Sequence, residues 1–167
     1  MIQVYTGDGK GKTTAAIGLA MRAAGAGLKV FICQFVKGRY CCELKSLKQV
    51  KNITVRQFGS NCFIKKAPDA KDMRLAKEGL AEISKIIKNK SCDLVVLDEI
   101  NVALRLKLLQ LPEVIRLLKD TPRSIELILT GRSAPEQILK IADLVSEIKE
   151  KKHYYKKGVK ARRGIEF

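Results

Sequence analysis

Gly7-Asp8-Gly9-Lys10-Gly11-Lys12-Thr13-Thr14 gathers in one short run the groups that a polyphosphate needs from a protein. Closely spaced glycines let successive backbone N–H groups converge on oxygen, a lysine meets the outer phosphates, and a Ser or Thr hydroxyl serves a divalent cation. The run departs from Gly-x-x-x-x-Gly-Lys-Ser/Thr at the first glycine, where Thr6 stands. Read in isolation it is also a Gly-rich turn before a helix. Two further places could complete the chemistry. Asp98-Glu99 closes an apolar run and offers, with Thr13, the oxygen donors of a magnesium (or manganese) site, the alternative being a solvated acidic pair. Arg132 carries a planar donor fork that suits either phosphate or a surface carboxylate.

These groups can meet only if particular elements bring them together. Short β-branched runs alternate with segments of helical period, which is the sequence form of an α/β protein with a parallel sheet and helices on its faces. Strands are expected at Ile2 to Thr6, Lys29 to Val36, Ile53 to Phe58, Asp93 to Asp98, Ser124 to Thr130 and Leu144 to Ile148. Helices are expected at Lys12 to Ala26, Ala70 to Asn89, Leu111 to Lys119 and Pro135 to Ala142. A helix starting at Lys12 directs its positive end and unpaired N–H groups at an anion held by the glycine run. Leu94-Val95-Val96-Leu97 lacks polar alternation, so both faces of that strand should be buried. Open α/β sheets bind ligands outside the carboxyl ends of their strands, which puts Asp98-Glu99 and the glycine run on one edge.

Length and composition frame this reading. A chain of 167 residues with 46% hydrophobic residues is expected to be one globular domain, residues 1–167, rather than disordered or fibrous. The formal net charge of +16 attracts polyanions, and nucleic acid, ATP, free polyphosphate and carboxylate-bearing cofactors all qualify. Cys33, Cys41, Cys42, Cys62 and Cys92 include no Cys-x-x-Cys pair, so they read as idle thiols in a reducing, cytoplasmic setting. The longest apolar stretch, Ala15 to Leu28, contains Arg22 and is too short to span a bilayer; neither export nor membrane insertion is expected.

With these motifs in order, the sequence resembles the P-loop ATP:corrinoid adenosyltransferases, which transfer the 5′-deoxyadenosyl group of ATP to the cobalt of a corrinoid. The resemblance covers nearly the full length. It rests on the glycine run, Gln34-Phe35-Val36-Lys37-Gly38, Val96-Leu97-Asp98-Glu99, Thr130-Gly131-Arg132, and the ending Gly158-Val159-Lys160-Ala161 through Gly164-Ile165-Glu166-Phe167. That family's phosphate loop also lacks the first glycine, so Thr6 fits it. The resemblance implies a three-layer RecA-like fold with a mostly parallel six-stranded sheet, ATP on Gly7 to Thr14 and Arg132, and magnesium on Thr13 with Glu99 or Asp98. It further implies a corrinoid substrate, an electron donor that supplies Co(I), and a homodimer. Longer members carry an N-terminal extension that helps to cover the corrinoid, whereas here Met1 stands directly before the first expected strand. The family places aromatics in a segment after the third strand; here that stretch offers Phe63. His153 is a second candidate for the corrinoid side, although in a basic tail it also reads as a solvated residue.

Two other functional classes share the same loop. A RecA-like ATPase acting on nucleic acid would use the glycine run, the acidic pair and the basic end, where Tyr154 and Tyr155 stand among Lys149, Lys151, Lys152, Lys156, Lys157, Lys160, Arg162 and Arg163. More often such a run is a solvated face, and nucleic acid is not the expected partner. A nucleotide-binding module would hold Mg-ATP without turnover. Triphosphate release that depends on corrinoid separates the three.

Overall fold

The computed structural model describes residues 1–38, 41–60 and 68–167. Six strands form one sheet: β1 (Ile2–Thr6), β2 (Val30–Phe35), β3 (Ile53–Phe58), β4 (Leu94–Asp98), β5 (Glu126–Thr130) and β6 (Leu144–Glu147). Their order is β3-β2-β4-β5-β1-β6 and every pairing is parallel. All six expected strands form, a residue or two shorter at some ends. Since parallel neighbours need a crossover, the chain returns through α1 (Lys12–Gly25), α2 (Cys42–Leu47), α3 (Ala70–Lys88), α4 (Ile100–Arg105), α5 (Leu111–Asp120) and α6 (Glu136–Ile141). Short α2 and α4 were not expected, and a single 3₁₀ turn (Tyr154–Lys157) interrupts the basic tail.

The two faces of the sheet are covered by different helices. On one, Ala16, Ala20 and Ala23 of α1 recur at helical spacing and pack on Val30, Ile32, Leu94, Val96 and Ile128. Their small side chains let the helix axis approach the sheet closely. On the other, Phe31, Cys33, Val95, Leu97, Leu127 and Leu129 pack with Ile83 of α3, Ile100 of α4 and Val114 of α5. Thus β4 is buried over its whole length, as its unbroken apolar run predicts.

Alternation along the strands then decides what reaches the carboxyl edge on the α1 face. The columns Val30–Ile32, Leu94–Val96 and Ile128 each continue, two residues on, into a polar residue: Gln34, Asp98 and Thr130. Gln34 lies opposite Asp98 and also opposite Gln57 of β3. A row of polar side chains therefore caps the apolar face at the edge where the glycine run turns into α1.

Candidate active site

The turn after β1 is shaped by close approach to the segment following β6. Gly9 N–H donates to the Ile148 carbonyl at 2.7 Å, and a Cβ on Gly9 would lie 2.7 Å from that same oxygen, nearer than any side chain can come. Gly11 caps α1 at φ 118°, a conformation that favours glycine, with open space where a side chain would stand. No side chain caps α1 and no acid occupies its first turn. The Ala15 N–H already bonds Gly11, so the N–H groups before it are the ones the helix presents to an anion.

Lys12 Nζ sits over this loop, donating to the carbonyls of Gly7 and Gly9, each at 2.7 Å. Burial pushes its pKa below the ordinary lysine value and Arg132 adds to that, against Glu99 and Asp8, which raise it. A poorly hydrated ammonium of this kind has much to gain from a phosphate anion. Thr6, in place of the first glycine, accepts the Ala134 N–H at 3.2 Å and so ties the loop to the turn that carries Arg132. Asn101 of α4 donates to the Gly131 carbonyl at 3.3 Å and steadies that turn from the other side. Arg132 itself is exposed, yet near enough to act on both Lys12 and Glu99.

Asp98 is the most heavily bonded acid of the site. Its Oδ1 accepts from Thr13 Oγ1 at 2.8 Å and Thr130 Oγ1 at 2.7 Å; its Oδ2 accepts from Lys37 Nζ at 2.7 Å and Gln34 Nε2 at 3.2 Å. The side chain is 1% exposed. Gln57 Nε2 donates to Gln34 Oε1 at 3.0 Å, which extends the network to β3. Glu99 differs in every respect. Its backbone takes a left-handed turn at φ 62°, uncommon for a non-glycine residue, and its N–H donates to Thr130 Oγ1 at 2.9 Å. Its carboxylate has no hydrogen bond or ion pair from the described residues. Burial, then the Asp98 charge, raise its pKa above the ordinary carboxylate value, opposed by Lys37, Lys12 and Arg132.

A match to the family model described as ATP:corrinoid adenosyltransferase BtuR/CobO/CobP runs over residues 1–167. The chain belongs to the ATP:corrinoid adenosyltransferase family. It is 35% identical over 167 residues to the corrinoid adenosyltransferase of Escherichia coli K12, across all of this chain and 85% of that protein. The corrinoid adenosyltransferase CobA of Salmonella typhimurium LT2 is likewise 35% identical over 171 residues, with 100% and 85% covered. The fold alone is shared with the KaiC-like protein PH0186 of Pyrococcus horikoshii OT3, at TM-score 0.56 and 20% identity over 90% of this chain and 74% of that one.

Of the residues that this adenosyltransferase-family sequence singles out, Gly7, Gly9, Gly11, Lys12, Thr13, Asp98, Glu99 and Arg132 converge on one edge, whereas Thr14 is exposed on α1. Asp8 faces solvent but acts on Lys12. Lys10 points away from the inner loop, donating to Tyr154 Oη at 2.9 Å, the Ile165 carbonyl at 3.0 Å and Glu166 Oε1 at 2.8 Å. The C-terminal tail is thereby pinned to the outside of the phosphate loop. His153 lies in that tail, where its Nδ1 accepts the Tyr155 N–H at 3.1 Å and its ring packs against Tyr154 at 4.8 Å, so its visible role is a local cap. Phe63 falls outside the described residues. Gln34, Lys37 and Thr130 lie in motifs that carry the family resemblance, yet none of them was expected to have a part in the site. Gln34 carried a signal in its place near the carboxyl end of β2, a neighbour of β4, Lys37 in its place just past that strand, and Thr130 in its position at the end of β5.

Proposed function

We propose that this chain transfers the 5′-deoxyadenosyl group of ATP to the Co(I) of a reduced corrinoid, releasing triphosphate. Family membership over the whole chain supports the reaction, and the observation that carries its chemistry is a positively charged cradle built before any anion arrives. Co(I) is itself the nucleophile toward the ribose 5′ carbon, so no side-chain base is required. What develops in the transition state is negative charge on the departing triphosphate. Lys12, the α1 N–H groups and Arg132 meet that charge, and one such preorganised donor is worth about 3–4 kcal/mol in comparable sites. Holding cobalt and carbon in line contributes the further gain of orientation.

Magnesium or manganese fits the donor set. Thr13 offers a hydroxyl and Glu99 a carboxylate without a protein partner, both hard oxygen donors, while Asp98 holds the Thr13 hydroxyl from behind. Among the described residues no cluster of three or more His, Cys, Asp or Glu is present, so phosphate oxygens and water would have to complete the shell. When bound, the ion supplies Lewis-acid charge to the leaving triphosphate. Glu99 is thus the metal-facing acid and Asp98 the residue that orients Thr13.

Phe63 and His153 are proposed for the corrinoid side, an external electron donor for Co(I), and a homodimer for the assembly, all from the family resemblance, and the cytoplasm for its location, from its cysteines without a Cys-x-x-Cys pair. No described helix is long and apolar enough to cross a membrane. Anaerobic incubation with ATP, Mg²⁺ and chemically reduced corrinoid tests the reaction. The Co(I) absorption should decay with one triphosphate formed per adenosylated corrinoid. ADP and phosphate appearing at the same rate with or without corrinoid would overturn it.

A further inference from the structure

The polar row on the α1 face contains one cation to which the reaction above gives no part. Lys37 follows Val36, a β-branched residue held at φ 61°, where such side chains are disfavoured. The backbone of that turn lies against Gly59 and Ser60 beyond β3, and the Lys37 side chain reaches across to the end of β4. Lys37 Nζ then lies 2.7 Å from Asp98 Oδ2 and 3.3 Å from Thr13 Oγ1, bridging the hydroxyl proposed to hold the metal and the acid behind it. The carboxylate at this distance is the counter-charge that holds the Lys37 ammonium in place.

Resting on the reading that Thr13 holds the metal, we infer that Lys37 is a resident cation at the metal side of the site, which makes binding of a divalent ion conditional on the triphosphate. The electrostatics follow from the distances. A divalent ion on Thr13 would stand within a few ångströms of the Lys37 ammonium, while both oxygens of Asp98 are already taken by Thr13, Thr130, Lys37 and Gln34 and are not open to bind it. Glu99 alone would face Lys12, Lys37 and any added dication. A triphosphate would reverse the balance, because it brings several negative charges to the site. Metal and nucleotide are therefore taken up together rather than in sequence. Lys37 thus joins the site as a positioning residue for the cation, a role distinct from that of Lys12 on the phosphates.

Mn²⁺ serves as the probe, since the electron paramagnetic resonance of the free hexahydrated ion measures how much is bound without any turnover. Nucleotide-free wild type should bind Mn²⁺ weakly, and inorganic triphosphate should strengthen that binding. Lys37→Gln, neutral but still able to donate to Asp98, should bind Mn²⁺ alone roughly ten-fold or more tighter than wild type, as expected for removing a like charge at this range. Lys37→Arg should behave as wild type, and Lys37→Met replaces the glutamine variant should the latter fail to fold. Equal Mn²⁺ affinity without triphosphate in a folded neutral variant and wild type would overturn the role of Lys37. So would a gain that persists in a Thr13→Ala background. If Thr13→Ala leaves wild-type Mn²⁺ binding with triphosphate unchanged, the metal site itself is misassigned and both readings fall.

Discussion

Asp98→Asn should behave as a folding mutant, although by position it looks like a loss of a metal ligand. Thr130 Oγ1 accepts the Glu99 N–H at 2.9 Å, so its own proton is committed to Asp98 Oδ1 at 2.7 Å. Lys37 has only protons to give, so Oδ2 must accept as well. Both positions therefore require an acceptor, and an asparagine in either flip sets its NH₂ against a donor. The ammonium of Lys37, with a side chain 25% exposed, also loses its counter-charge at a residue that is 1% exposed. Breaking a buried pair from one side costs about 3–5 kcal/mol, which for a chain of this length corresponds to a fall in Tm of roughly 6–20 °C. Thermal unfolding followed by circular dichroism measures it. The loss should shrink in Asp98→Asn combined with Lys37→Met, since the stranded ammonium is then absent. A single Asp98→Asn variant melting within about 2 °C of wild type, against the several degrees expected for an unpaired buried charge, would refute the network.

Lys12→Ala removes the ammonium over the loop but no structural partner beyond two carbonyls, so adenosylation should fall by about 100-fold or more while the circular dichroism spectrum and Tm hold. Glu99→Gln should raise the Mg²⁺ concentration needed for half-maximal rate more than Asp98→Asn does. It should also raise Tm at neutral pH, because a carboxyl whose folded pKa lies above its unfolded one loses stability as pH rises through that window, and glutamine removes the charge. A Tm that falls instead would show that the Glu99 carboxylate has a stabilising partner. Binding to random-sequence DNA should be weak and lose about three or more decades of affinity between low and moderate salt; tight binding at physiological salt with DNA-stimulated hydrolysis would favour an ATPase.

The strands were legible because burial on both faces writes itself as unbroken apolar runs such as Leu94–Leu97, and α1 because its alanines recur at helical spacing. Short α4 was not, since Ile100–Arg105 follows β4 after a single left-handed residue, and nothing in Glu99 as a residue type announces φ 62°. Similarly, α2 is six residues with no capping side chain, too brief for a period to show. In the site, the phosphate loop was readable from its own spacing, whereas the division of labour between Asp98 and Glu99 was not. Adjacent acids look alike in a sequence. Only the parallel register, which sets Gln34 beside Asp98, and the turn at Val36, after which Lys37 reaches Asp98, show that one acid is saturated and its neighbour free.

Three lysines of this edge are each held by a different anchor, and the anchors explain how a phosphate loop can serve a reaction at carbon. Lys12 is held by backbone carbonyls, which carry no net charge, so no salt bridge has to be broken for its ammonium to meet an arriving phosphate. Lys37 is held by Asp98 with its ammonium against the Thr13 hydroxyl, so its charge acts at the metal side rather than along the phosphates. Lys10 is held by Glu166, and that pairing with Tyr154 and Arg162 holds the Glu166 carboxyl well below its ordinary pKa, so the clasp persists across the neutral range. Net positive charge thus concentrates at Lys12, the start of α1 and Arg132, where a triphosphate can lie. A transfer in which the entire triphosphate departs needs that charge along the chain of phosphates and no water aligned with its end, and the arrangement supplies the first requirement through backbone and side chains that are already in place.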